Sequence, residues 1–259
     1  MKLNVRSEIV FEFQPETEII VSVQAASSQD QTILSESLTL SPEFPILQDP
    51  PDSRGERRFR ARVGGEVRIS YEAKVDNGRR VALVSGLQQH TWGELPAETL
   101  QYLTGSRYCP SDLFVSFATR EFGSLEGSDR VLAVLDWIHE HVDYRPGVSN
   151  SETTAERTFI DRAGVCRDFS HLGITLSRAL NFPARAVSAY ALDLVPADFH
   201  AIFEVYVGGS WWLVDPTRLA PIDGLVRIGV GRDAADIAFL STSLPCQSVS
   251  QFVSVEPPE

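Results

Sequence analysis

Residues 164–183 read GVCRDFSHLGITLSRALNFP. Val165, Phe169, Leu172, Leu176 and Leu180 recur at three- and four-residue intervals, which predicts a helix with one apolar stripe. Asn181-Phe182-Pro183 ends it, because proline cannot continue the hydrogen-bond ladder. Cys166 therefore falls at the start of the helix. Amide groups without intrahelical acceptors and the helix dipole favour an anion there, and the thiolate is the nucleophilic form of cysteine. A lone cysteine is otherwise most often a small buried hydrophobe, so the position alone does not decide for chemistry. Asp168 is expected to orient this turn or cap the helix, a structural part.

Downstream of the helix the period changes to two. Strands are expected over 184–192, 200–207 and 211–214. Gly208-Gly209 reads as a two-residue hairpin turn joining the last two; a three-residue turn or a bulge there would put Asp215 on the opposite face. Counting back from that turn, Asp215 faces Ile202 across the hairpin. His200 lies two residues along the same strand and so points to the same face, a diagonal neighbour of Asp215. Cys166, His200 and Asp215 thus form a candidate set of nucleophile, base and orienter. The thiolate attacks a carbonyl, the imidazole moves the proton, and the carboxylate fixes the imidazole tautomer. The backbone amide of Cys166 is a candidate oxyanion donor.

Upstream, Val131, Val134, Leu135, Ile138 and Val142 form a second helical stripe after Ser128-Asp129. Thr153 with Glu156 reads as a capping box for a short helix to Arg162, stopped by Gly164. The first 90 or so residues read as strands. Phe59, Ala61 and Val63 alternate with Arg58, Arg60 and Arg62, and the alternation resumes from Val67 to Val75. Gly64-Gly65 between the two runs predicts a hairpin. Two further strands are expected at 8–13 and 18–23, and Asp49-Pro50-Pro51-Asp52 marks a loop. The expected fold class is α+β: an N-terminal antiparallel β-sandwich (1–95) followed by an α+β core (96–259).

The chain has 259 residues and a formal net charge of -12. Such a surface repels phosphate backbones and argues against nucleic-acid binding. The 3 cysteines, Cys109, Cys166 and Cys246, form no CxxC pair and suit a reducing compartment rather than a disulfide framework. The N-terminus lacks the apolar run of a signal peptide, and no stretch approaches the roughly 20 apolar residues of a membrane span. The expectations are a cytoplasmic location and no membrane association. His139 and His141 are two apart on a helix and do not share a face, and Cys166 and His171 are poorly spaced as ligands. No metal and no cofactor are expected.

Several short motifs occur in a characteristic order: Tyr144-Arg145-Pro146-Gly147, Thr153-Thr154-Ala155, residues 164–172 around Cys166, Pro183-Ala184-Arg185-Ala186-Val187-Ser188, His200-Ala201, Trp212-Leu213-Val214-Asp215-Pro216-Thr217 and residues 229–236. Over roughly 96–245 the chain resembles the bacterial transglutaminase-like superfamily. The resemblance implies a papain-like core, with Cys166 as nucleophile, His200 as base and Asp215 as third member. The N-terminal region resembles the β-sandwich often fused before such domains. Ile202 stands where the wider superfamily often has Trp after the His-Ala pair. The expected activity is thiol-dependent hydrolysis of an amide in a peptide or protein through a thioester. Acyl transfer to an amine, as in transglutaminases, is the alternative; a non-catalytic binding module on the same fold is a third reading.

Overall fold

The computed structural model describes residues 1–258. Strand β1 (Lys2–Val21) is followed by β2 (Thr32–Ser41), the short β3 (Ile46–Gln48) and β4 (Phe59–Asp76). β1 and β4 pair antiparallel along nearly their whole length, β2 adds to one end of β4, and β3 to the other. The odd-numbered residues of both long strands face the core, from Leu3, Val5 and Ile9 in β1 to Phe59, Val63, Val67 and Ile69 in β4.

The hairpin expected at Gly64-Gly65 is not formed. β4 runs straight through both glycines, and the irregularity lies in β1 instead. Phe13 pairs with Gly65 and Thr17 with Val63, so the residues between Phe13 and Thr17 bulge out of the ladder. The glycines accommodate this bulge. Gly65 has φ +74°, and a Cβ on Gly64 would stand 3.0 Å from the Cα of Pro15.

Past a stretch of short 3-10 turns come α1 (Val115–Phe122) and α2 (Ser128–His141), then β5 (Asp143–Tyr144), α3 (Ala155–Asp161), β6 (Ala163–Gly164) and α4 (Cys166–Ala179). β5 and β6 form a two-residue parallel ladder in which Tyr144 pairs with Gly164. The α3 cap lies one residue beyond the expected one. The Thr154 hydroxyl accepts from the Arg157 amide at 3.4 Å, while Thr153 Oγ1 accepts from the Asn150 amide at 3.0 Å. Arg162, in the left-handed region, ends α3 rather than Gly164.

β7 (Ala184–Ala191), β8 (Phe199–Val207), β9 (Ser210–Val214) and β10 (Leu225–Gly231) form an antiparallel sheet in the order β10-β7-β8-β9. β8 and β9 keep the expected register, with Val207 opposite Ser210 and Phe203 opposite Val214. α4 packs on this sheet so closely that a Cβ on Gly173 would stand 2.4 Å from the Phe203 ring. Its stripe residues Phe169, Leu172 and Leu176 share a core with α1, α2 and the sheet residues Phe203 and Val205.

The last two strands, β11 (Leu240–Thr242) and β12 (Cys246–Glu256), return to the first sheet and both pair with β1. The N-terminal sheet thus has six strands, two of them supplied by the far end of the chain. The two parts share a core. Tyr190, Val226 and Ile228 of the second sheet pack among Leu3, Val5 and Tyr71 of the first. The buried Tyr190 hydroxyl bonds the Val23 carbonyl at 2.6 Å and the Ser7 hydroxyl at 2.9 Å. Among the described residues no helix is long and apolar enough to cross a membrane.

Candidate active site

Cys166 is the first residue of α4 and is partly exposed. The turn that presents it is held from below. Asp168, fully buried, accepts the Val165 amide at 2.9 Å through Oδ2 and the Ser149 hydroxyl at 2.9 Å through Oδ1. Gly164 makes room for that carboxylate, since a Cβ there would stand 2.6 Å from the Asp168 Cβ. Asp168 takes the structural part expected of it.

His200 lies on β8 and Asp215 follows the last residue of β9. Nε2 of His200 is 2.9 Å from Oδ2 of Asp215, and the two side chains are 0% and 2% exposed. Asp215 is itself held by three further donors: the Thr217 amide and hydroxyl on Oδ1, at 2.9 and 2.7 Å, and the Ala220 amide on Oδ2 at 3.2 Å. Burial alone would raise the Asp215 pKa, but these bonds, the His200 one foremost, hold it below the usual carboxylate value. For His200, burial alone would disfavour the imidazolium. The hydrogen bond to Asp215 and the neighbouring Cys166 sulfur outweigh it and raise the pKa from 6.5 to about 9. With Nε2 committed to Asp215, Nδ1 is the nitrogen left for the thiol, and among the described residues it has no other hydrogen-bond partner.

Cys166 and His200 line one cleft of about 430 Å³. Arg167 and Val165 stand on the cysteine side, and Asp198 and Phe199 on the histidine side. The remaining wall holds Phe239, Leu240 and Gln251, from β11, β12 and the segment before them. The Gln251 amide donates to Oδ1 of Asp198. Nothing in the sequence pattern points to these three residues. Their spacing from Cys166 carries no periodic signal, so only the pairing of β11 and β12 with β1 brings them in.

Tyr144 is a further residue whose role does not show in the sequence beyond its place in a motif. The β5–β6 ladder holds it opposite Gly164, two residues before Cys166. Burial and the adjacent Cys166 sulfur push its hydroxyl up to about 12, so it stays protonated and can donate. His171 lies under the cleft. It is pushed down to about 3 by burial, stacks on Tyr108 with centroids 5.0 Å apart, and accepts the Ala234 amide at 3.1 Å through Nε2. This neutral ring anchors the segment that carries Ala234 and Ile237 into the cleft.

Cys109 is wholly buried and pushed up to about 12 by that burial. Cys246 starts β12 opposite Phe13 of β1 and is not among the residues that line the cleft. His141 stacks on Trp137 and bonds its carbonyl at 2.8 Å. Among the described residues no three His, Cys, Asp or Glu side chains converge as metal ligands would.

Comparison with known proteins gives a consistent placement. Residues 1–85 match the family model for the bacterial transglutaminase N-terminal domain, and residues 117–216 that for the transglutaminase-like superfamily core. A crystal structure from Cytophaga hutchinsonii, described as a "putative cysteine protease", is 39% identical and aligns over 99% of this chain and 90% of its own, with a TM-score of 0.90. An uncharacterised protein of Mycobacterium leprae is 28% identical over 172 residues, and one of Mycobacterium tuberculosis 27% over 133. The matches span 61% and 42% of the length of these two curated relatives. With both family segments in order and a near full-length structural counterpart, this chain belongs to the transglutaminase-like superfamily.

Proposed function

We propose that the protein is a thiol-dependent amide hydrolase acting on a peptide or protein, with Cys166 as nucleophile, His200 as base and then acid, and Asp215 as the group that holds His200. The observation that carries this reading is the 2.9 Å bond between His200 Nε2 and Asp215 Oδ2, which leaves Nδ1 free for a cysteine at a helix N-terminus. His200 takes the thiol proton on Nδ1, which makes the sulfur the nucleophile.

The sulfur attacks the amide carbon and the carbonyl oxygen takes up the electron pair. The Cys166 amide and the Tyr144 hydroxyl stabilise that oxyanion. The C–N bond then breaks as His200 gives its Nδ1 proton to the departing nitrogen, leaving a thioester and a free amine. Water, deprotonated by His200, attacks the thioester. The acid leaves, and the proton returns to the Cys166–His200 pair.

Water is favoured over an amine as acceptor. Amine transfer needs a site that keeps water from the thioester. Ile202 stands where many superfamily members carry Trp; it is fully buried in the sheet and is not part of the cleft wall. The test is to find a turned-over peptide from a library, repeat the reaction with a large excess of primary amine, and weigh the products. Free acid as the main product is expected. A predominant amine adduct at modest amine concentration replaces hydrolysis by acyl transfer. Rapid turnover by Cys166→Ala would overturn both.

A further inference from the structure

Away from the cleft, a chain of alternating charges runs from the second sheet to the segments just before β2 and just after β4. Arg185 on β7 bonds Glu204 on β8 at 2.6 Å, and Arg227 on β10 bonds the other oxygen of Glu204. Arg227 reaches Asp30 at 3.1 Å, and Asp30 lies 3.4 Å from Arg80 Nη1. Three guanidinium groups therefore share two carboxylates, and one positive charge is left over.

The two ends of the chain differ. At one end the Arg185 guanidinium lies 4.0 Å from the Trp211 ring centroid, so the indole face offsets its charge. At the other end Arg80 Nη2 has only the neutral Gln31 Oε1, at 2.9 Å, and that oxygen also accepts the Arg227 amide at 2.8 Å. The Arg80 side chain is 4% exposed. Its Nε, like that of Arg227, has no hydrogen-bond partner among the described residues. Burial and the repulsion of Arg227 push Arg80 down to about 10. A buried cation whose one carboxylate, Asp30, is shared with a second guanidinium is left under-compensated, which is destabilising.

A cavity of about 250 Å³ lies alongside this chain and reaches Arg80. Arg79, Arg80, Arg227, Trp211 and Trp212 line it, together with the two carboxylates, Asp30 and Glu204, that the guanidinium groups already hold. Arg79 is exposed at the rim. We propose that this cavity is a binding site for a compact oxyanion, either a phosphate or a carboxylate group, which neutralises the surplus charge at Arg80. Guanidinium groups match both geometrically through paired N–H donors. Because Asp30 and Arg80 belong to the first part of the chain and Arg227 and Glu204 to the second, an anion here would strengthen the junction between them.

The test uses the full chain in a buffer free of polyvalent anions. Inorganic phosphate and, separately, acetate are titrated calorimetrically and in thermal unfolding, against sodium chloride at matched ionic strength. Saturable binding of one anion per chain is expected. At roughly 100 times Kd the unfolding midpoint should rise by about 5 °C, with no such rise in chloride. Arg80→Gln should abolish the binding, and Arg79→Gln should weaken it about tenfold, the effect of one rim charge. Tighter phosphate or tighter acetate binding identifies which group the site takes, and either supports it. Phosphate and acetate both behaving like chloride overturns the proposal, as does unchanged affinity in the variants. Should Arg80→Gln fail to fold, the exposed Arg79 decides: an unchanged Kd in Arg79→Gln overturns it.

Discussion

His200 and Asp215 set the pH behaviour expected of the site. In the proposed reaction the imidazolium that protonates the leaving amine, with its pKa raised to about 9, is present at neutral pH and lost on the alkaline side. A descending limb of kcat/KM with an apparent pKa near 9 is expected, belonging to the interacting Cys166–His200 pair rather than to one group. Asp215→Asn removes the main charge that raises His200, so the limb should move to lower pH while turnover falls about 10³–10⁴-fold. A limb that stays in place would show that Asp215 does not act through His200. The same shift bears on stability. The folded value lies above the unfolded value of 6.5, so the contribution is complete below about 6.5 and is lost as pH rises through about 9. Denaturant midpoints should therefore fall between those limits, and the fall should be absent in His200→Ala. Tyr144→Phe should lower kcat about 10²-fold with little change in KM, since a lost oxyanion donor acts only in the transition state. A raised KM with kcat unchanged would instead assign Tyr144 to substrate binding.

At the scale of elements, α4 is the part that its own sequence specifies most completely. The stripe from Phe169 to Leu176 buries on the sheet as its spacing predicts, and Cys166 falls at the first turn. Asp168 then fixes the turn before it. Asp168→Ala should destabilise the protein by about 1–3 kcal/mol, because it leaves the Val165 amide without its partner in a buried setting; Cys166 alkylation by iodoacetamide should slow as the turn loosens. Denaturant unfolding and peptide mapping measure the two effects, and an unchanged pair of values would remove Asp168 from the support of the site. The β8–β9 hairpin is equally legible, because Gly208-Gly209 demands a tight turn and the apolar pattern agrees with it. Gly64-Gly65 invites the same reading, yet there the pattern opposes it. A two-residue turn would set Val63 against Glu66 and Ala61 against Arg68, mixing apolar and charged residues on one face. The odd-numbered apolar positions instead stay in phase from Phe59 to Val75, as one uninterrupted strand requires.

For the whole molecule, the return of β11 and β12 ties the end of the chain to its beginning and to the cleft. Removing residues 246–259 should leave β1 short of a partner strand, take Val253 out of the core it shares with β1 and β4 and so expose its apolar neighbours there, and take Gln251 off Asp198. Loss of solubility or of cooperative unfolding is the expected outcome, seen by light scattering and calorimetry. A fragment beginning near Leu95 should behave similarly, because Tyr190, Val226 and Ile228 would lose the core they share with β1 and β4. Solubility and cooperative folding of either truncated chain would show that the two parts are independent.

By itself the sequence determined the helix that carries Cys166, the hairpin that sets His200 against Asp215, and the α+β character of the chain. These are local matters: a periodic stripe, a glycine turn and a register counted from it involve residues within a few turns or one hairpin of each other. Tertiary contacts alone leave Nδ1 as the free ring nitrogen of His200, set Tyr144 beside Cys166, and bring residues near 240–251 to close the cleft. Those depend on contacts between segments more than 20 or 50 residues apart in the sequence. No periodicity links such segments. A strand such as β12 or β5 is compatible with several partners on its own, and the choice among them is made by the burial of a shared core, with Tyr190 and the β1–β4 sheet on one side and α4 on the other.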